Sequence, residues 1–147
     1  MHDLILAVAH HLLFFGLIVM LVMERMLLAA RPVDVRRLAR IDGGYGASAL
    51  LILVIGAGRV LYGGKGLAFY ESNPFFWAKM AAFVLIGLAS LPPTIAFVKW
   101  RRARRADPEF QPPAPEIHRI RWWTGIQLLG VIALLVFAAL MARWPFG

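Results

Sequence analysis

No cysteine occurs anywhere in the 147 residues. That absence removes disulfides, thiolate-ligated iron, iron–sulfur clusters and cysteine nucleophiles together. Acidic residues are scarce too, 8 against 16 Lys and Arg, for a formal net charge of +8. No catalytic triad pattern, Walker loop or metalloprotease motif is present, and no internal repeat or low-complexity tract. The first apolar run also lacks the marks of a cleaved signal peptide. Met1-His2-Asp3 offers no basic n-region, the run is too long, and no small-x-small site follows it. It is expected to remain as a membrane helix.

What the chain does have is apolar surface. Hydrophobic residues make up 61% of it, more than a soluble domain of this length can keep from water. A spanning helix needs roughly 20 mostly apolar residues. Four stretches meet that length, 4–28, 45–62, 75–98 and 123–141, the second only when it is carried past Arg59 to Tyr62. The expected fold is all-α: one transmembrane domain over 1–147, an integral membrane four-helix bundle.

The positive charge is unevenly placed. Arg25, Arg31, Arg36, Arg37 and Arg40 lie at the first connection, and Lys99, Arg101, Arg102, Arg104, Arg105, Arg119 and Arg121 at the third. These account for twelve of the 16 basic residues. By the positive-inside rule both connections are cytoplasmic, which predicts an N-out/C-out, multi-pass protein of a bacterial-type inner (cytoplasmic) membrane. The charge is then topology and attraction to anionic lipid, and nucleic acid is not an expected partner. Trp77, Trp100, Trp122, Trp123 and Trp144 fall near span ends, as an aromatic belt requires. Pro108, Pro112, Pro113 and Pro115 predict an extended linker in the third connection. Pro92 and Pro93 predict a kink, and Gly56, Gly58 and Gly87 close helix approach.

Ionisable residues inside a span need a partner or a purpose. With the termini outside, His10 lies roughly 9 Å and Lys79 roughly 6 Å inside their helix starts, at 1.5 Å per residue. Arg59 and Tyr62 end the second span at the same surface. His10, Arg59 and Lys79 thus form an outer layer whose nearest acids in sequence are Asp3 and Glu71. Such a layer suits an anionic ligand. His10 and His11 diverge by about 100° on a helix, whereas His10 and Glu24 fall within about 40° of one another. His10 is therefore expected inside, His11 at a neighbouring helix or the rim. A second layer, Glu24, Asp42 and Tyr45 amid Arg25, Arg36, Arg37 and Arg40, is expected to be structural ion pairing. Gln127, Thr94 and Ser90 are candidates for hydrogen bonds between helices.

The string Arg40-x-Asp42-Gly43-Gly44-Tyr45-Gly46, then Gly58-Arg59-Val60, Lys65-Gly66, Tyr70, Asn73-Pro74, Phe76-Trp77-x-Lys79, Pro93-Thr94 and Ala142-Arg143 resembles a family of small four-helix bacterial membrane proteins, domain of unknown function 2214. The resemblance covers nearly the whole chain and implies the fold but no activity. More distantly, the chain is similar to HemJ-type protoporphyrinogen oxidases, which place a His in the first helix, a Lys at the start of a later one, and bind haem b. Here those positions are His10 and Lys79.

Two functional readings follow. In the first, haem b or another porphyrin occupies the outer layer. His10 is then the metal ligand through a neutral ring nitrogen, and Arg59 and Lys79 meet the propionates. An enzyme of this kind would be an oxidoreductase. In the second, the chain is a non-enzymatic accessory or assembly subunit, or binds anionic lipid, without a cofactor. The partners expected are the bilayer and either a second copy or a larger membrane complex.

Overall fold

The computed structural model describes residues 2–62 and 67–143, with backbone alone at 2, 3 and 67. Helix α1 spans His2–Ala29, α2 Val35–Tyr62, the short α3 Leu67–Glu71, α4 Pro74–Ala106 and α5 Ala114–Ala142. Four of these, all but α3, are long and apolar enough to cross a membrane. The protein is an all-α membrane bundle in contact with the lipid bilayer. Exposed Leu12, Phe15, Val54, Leu85, Ile95 and Leu129 present the apolar surface that lipid requires.

Helices α1 and α2 pack along one another, as do α4 and α5. Contacts of α2 with α4 and of α1 with α5 close the ring. Both connections rich in Arg lie at one end, called here the basic end; α3 and His10 lie at the other.

Local chemistry sets the helix boundaries. Arg31-Pro32 stops α1, because proline disfavours helical conformation at the residue before it. Arg31 donates Nη1 to the carbonyls of Leu28 and Ala30, two groups left open by the helix end. At the start of α4, the Asn73 side chain accepts from Phe75 N–H at 3.0 Å and Pro74 takes the first helical position. Asn73 is fully buried and donates Nδ2 to the Met141 carbonyl, joining this cap to the end of α5.

At the basic end the helices outrun their apolar segments. Helix α2 starts at Val35 rather than near Tyr45, α4 continues beyond Val98 to Ala106, and α5 starts at Ala114 rather than Trp123. A second core lies there: Leu28, Val33, Val35, Leu38, Phe97, Trp100, Ile117 and Ile120 are buried together. The proline-rich linker contracts to 107–113, and Gln111 accepts from Val33 N–H at 2.9 Å across the two connections. Trp100 departs from the aromatic-belt expectation. It is fully buried, packs tilted against Phe97 with ring centroids 5.7 Å apart and donates Nε1 to Glu116 at 2.8 Å. Trp77 and Trp122 are exposed as a belt requires, and Trp144 lies outside the described residues.

Pro92 and Pro93 lie inside α4, which continues from Pro74 to Ala106. One further expectation needs correction. Of the three glycines expected at close approaches, only Gly56 has a neighbour within contact distance of where its Cβ would stand. The tight approaches are elsewhere, at Gly130 against Ile86, Gly44 against the Met20 sulfur and Gly125 against Arg25.

Candidate functional site

Three helices bring His10, Arg59 and Lys79 toward one end of the bundle. The His10 ring, half-buried, packs on α2: a Cβ built on Gly56 would stand 3.4 Å from its Cε1 and 3.9 Å from its Nδ1. Glycine here leaves the room that the imidazole fills. Nδ1 is shielded from solvent and has no hydrogen-bond partner among the described residues, while the ring lies within hydrogen-bonding reach of the Ile52 carbonyl. Lys79 and Arg59 both lie within electrostatic reach of His10, and of each other. His11 is exposed, with Nδ1 2.6 Å from the Ala7 carbonyl of its own helix.

Aromatic side chains cap this layer. Phe69, Tyr70, Phe76 and Trp77 form a continuous run, with ring centroids 5.4, 5.5 and 5.4 Å apart in turn. The Lys79 ammonium sits 5.8 Å from the Phe76 centroid, a cation–π arrangement that holds it beside the cap. Trp77 donates Nε1 to the Glu71 carbonyl at 3.1 Å, which fixes α3 to α4. Tyr70, buried at the centre of the run, stood in the sequence only as one letter of the family string. Phe14 packs against the central core around Leu17 and Leu21. Lys65 lies outside the described residues.

About 21 Å further along α1, at 1.5 Å per residue, lies the second layer. Glu24, Asp42, Tyr45 and Gln127 are all buried. The expected ion pairing is absent: among the described residues neither Glu24 nor Asp42 forms an ion pair. Arg25 reaches α5 instead, donating to the Arg121 carbonyl at 2.9 Å and to Thr124 Oγ1 at 3.2 Å. Asp42 accepts from Thr94 Oγ1 at 2.9 Å, while Glu24 Oε1 and the Tyr45 hydroxyl have no partner among the described residues. The layer failed as an ion-pair network for a geometric reason. Arg36, Arg37 and Arg40 are exposed, whereas Asp42 lies on the buried face of α2. Ser90 also stays on its own helix, donating to the Gly87 carbonyl.

Chemically the two layers are opposites. The His10 layer offers an imidazole nitrogen, an ammonium and a guanidinium, which together suit a carboxylate-bearing ligand with a coordinating centre. The Glu24 layer offers oxygens and an amide. No group of three or more potential metal-ligating His, Asp or Glu residues occurs among the described residues.

A family model described as predicted membrane protein, domain of unknown function 2214, matches residues 2–144. No curated protein and no solved structure matches the chain. The similarity to the oxidases therefore rests on the positions of His10 and Lys79 alone.

Proposed function

We propose that this chain, which belongs to the family described as predicted membrane protein, domain of unknown function 2214, binds an anionic cofactor of the porphyrin class at its His10 end. The ligand favoured is haem b or a relative, in a bacterial inner membrane with the basic end in the cytoplasm. The observation that carries the reading is the buried His10 Nδ1, which has no hydrogen-bond partner among the described residues and lies in one layer with two cationic side chains. A buried polar atom without a partner costs about 1–3 kcal/mol. A ligand for that nitrogen would offset the cost.

The residues present fit the group in their donor chemistry. His10 would hold the metal through a neutral ring nitrogen. Lys79 and Arg59 would meet the two carboxylates, and the Phe69–Trp77 aromatic run would exclude water above them. Gly56 keeps the imidazole oriented by leaving it a seat on α2. His118 lies near the start of α5 at the basic end and His11 is exposed. Any further residue holding the group would therefore come from outside this layer or from a second copy. When bound, such a group supplies one-electron redox chemistry.

The test is a visible spectrum of protein purified from haem-replete cells, with haemin and protoporphyrin titrations. Wild type should show a Soret band, His10→Ala should lose it, and Lys79→Ala should weaken occupancy without abolishing it. A wild-type protein without Soret absorbance that takes up neither compound overturns the reading. The chain would then be read as an accessory subunit of a larger membrane complex.

A further inference from the structure

At the basic end, Arg36 and Arg40 on α2 meet Arg101 and Arg105 on α4 around a cleft of about 310 Å³. These four arginines are its whole lining. All four are exposed, and none donates a hydrogen bond or forms an ion pair among the described residues. Each pair is spaced i, i+4, which puts both guanidiniums on one face of the helix, where like charges destabilise it.

The helix dipole accounts for only part of this. Arg105 lies in the last turn of α4, where a cation is favourable. Arg36 lies in the first turn of α2, which carries no acid, and there the dipole opposes a cation. The neighbouring arginines have other work: Arg104 donates to the Phe110 carbonyl at 2.8 Å, and Arg31 caps α1. Asp34 accepts from the Arg37 backbone and does not line the cleft. The fold therefore holds four positive charges around one space without a negative one.

We propose that this cleft is a binding site for a pair of closely spaced phosphate groups, and that in the membrane its occupant is an anionic lipid headgroup carrying two phosphates. Guanidinium binds phosphate by paired, parallel N–H···O bonds, so four arginines match two phosphates. The depth favours a lipid. Arg101 lies three residues beyond Val98, the last residue of its apolar run, and Arg40 five residues before Tyr45. At 1.5 Å per residue Arg101 and Arg40 stand roughly 5–8 Å outside the hydrocarbon, at headgroup level. Arg105 and Arg36 stand one turn further out, roughly 10–14 Å, on the aqueous side of that level. Basic pockets between membrane helices on the cytoplasmic side are suited to such headgroups. The site is at the opposite end of the bundle from His10 and does not depend on the cofactor reading.

The test uses the full-length, detergent-purified protein and native mass spectrometry. It is titrated separately with cardiolipin, with phosphatidylglycerol at equal phosphate, and with inorganic pyrophosphate. Cardiolipin should be retained about tenfold more tightly than phosphatidylglycerol, and Arg36→Gln/Arg101→Gln should reduce that binding about tenfold. Arg102→Gln, an exposed arginine outside the cleft, should leave it unchanged. Pyrophosphate competing as well as cardiolipin would keep the diphosphate site and overturn its lipid occupant. Equal weakening by Arg102→Gln, or no preference for paired phosphates in any arm, overturns the site itself. Unchanged circular dichroism spectra of the variants separate lost binding from lost fold.

Discussion

Gln127 on α5 donates its amide to the Ala89 carbonyl on α4 at 3.4 Å. That carbonyl is the one Pro93 leaves without its helical donor, because proline has no N–H to offer four residues on. The two helices are thereby joined at a point where α4 is weakest, and the helix stays continuous through Pro92-Pro93.

Replacing Gln127 by Leu should accordingly destabilise the bundle by about 1 kcal/mol, within the range for a hydrogen bond between membrane helices. In a Pro93→Ala background the same replacement should cost less, since the Ala89 carbonyl regains its own donor. Thermal unfolding of the four proteins in one detergent completes the cycle. Equal costs in both backgrounds would remove the coupling.

Glu24 and Asp42 are buried without an ion-pair partner among the described residues. Burying charge without a counter-charge is costly in a membrane interior. Glu24→Gln should therefore be as stable as wild type or more so, and Arg36→Gln and Arg40→Gln should leave the melting temperature within the scatter of surface changes. A drop for Arg40→Gln as large as that for Thr94→Val would restore the ion-pair view of this layer.

The glycines divide by what a methyl group would meet. Gly130→Ala would place a Cβ 2.6 Å from Ile86 Cγ1, so a loss of about 1–3 kcal/mol is expected from overpacking. Gly58 and Gly87 have nothing within 4 Å. Alanine there should be neutral or stabilising by up to about 1 kcal/mol, through helix propensity. Melting temperatures of the three single variants decide this directly.

Gly56→Val tests the His10 seat without touching any donor. A Cβ there already stands 3.4 Å from the His10 ring, and branching at that carbon should force the imidazole away. Under the cofactor reading this variant should lose most haem occupancy while remaining folded, with Gly58→Val as its spectral control. Full Soret absorbance in Gly56→Val would detach Gly56 from the site.

Orientation is open to a direct measurement. A periplasm-dependent reporter fused after Gly147 should be active, and one placed in the connection 107–113 should be inactive, because both basic connections are expected to face the cytoplasm. Activity of a cytoplasm-dependent reporter at Gly147 would invert the bundle.

The sequence by itself determined that the chain crosses a membrane as four helices and that its basic residues gather at one end. These properties are additive along the chain: apolar length, charge counts and proline positions need no knowledge of what packs on what. It also brought His10 and Lys79 into view, because an ionisable residue within an apolar run is conspicuous on cost alone. Tertiary structure decided the partners. Asp42 turned to Thr94 rather than to arginine, Arg25 crossed to α5, Trp100 went into a core at the basic end, and Gly56 became the seat of His10. Arg36, Arg40, Arg101 and Arg105 read in sequence as topology signals on separate connections, and only the packing of α2 on α4 gathers them around one cleft. Each of these outcomes depends on which helix faces stand opposite one another. That choice is made by packing between residues as much as 99 positions apart, and local composition carries no record of it.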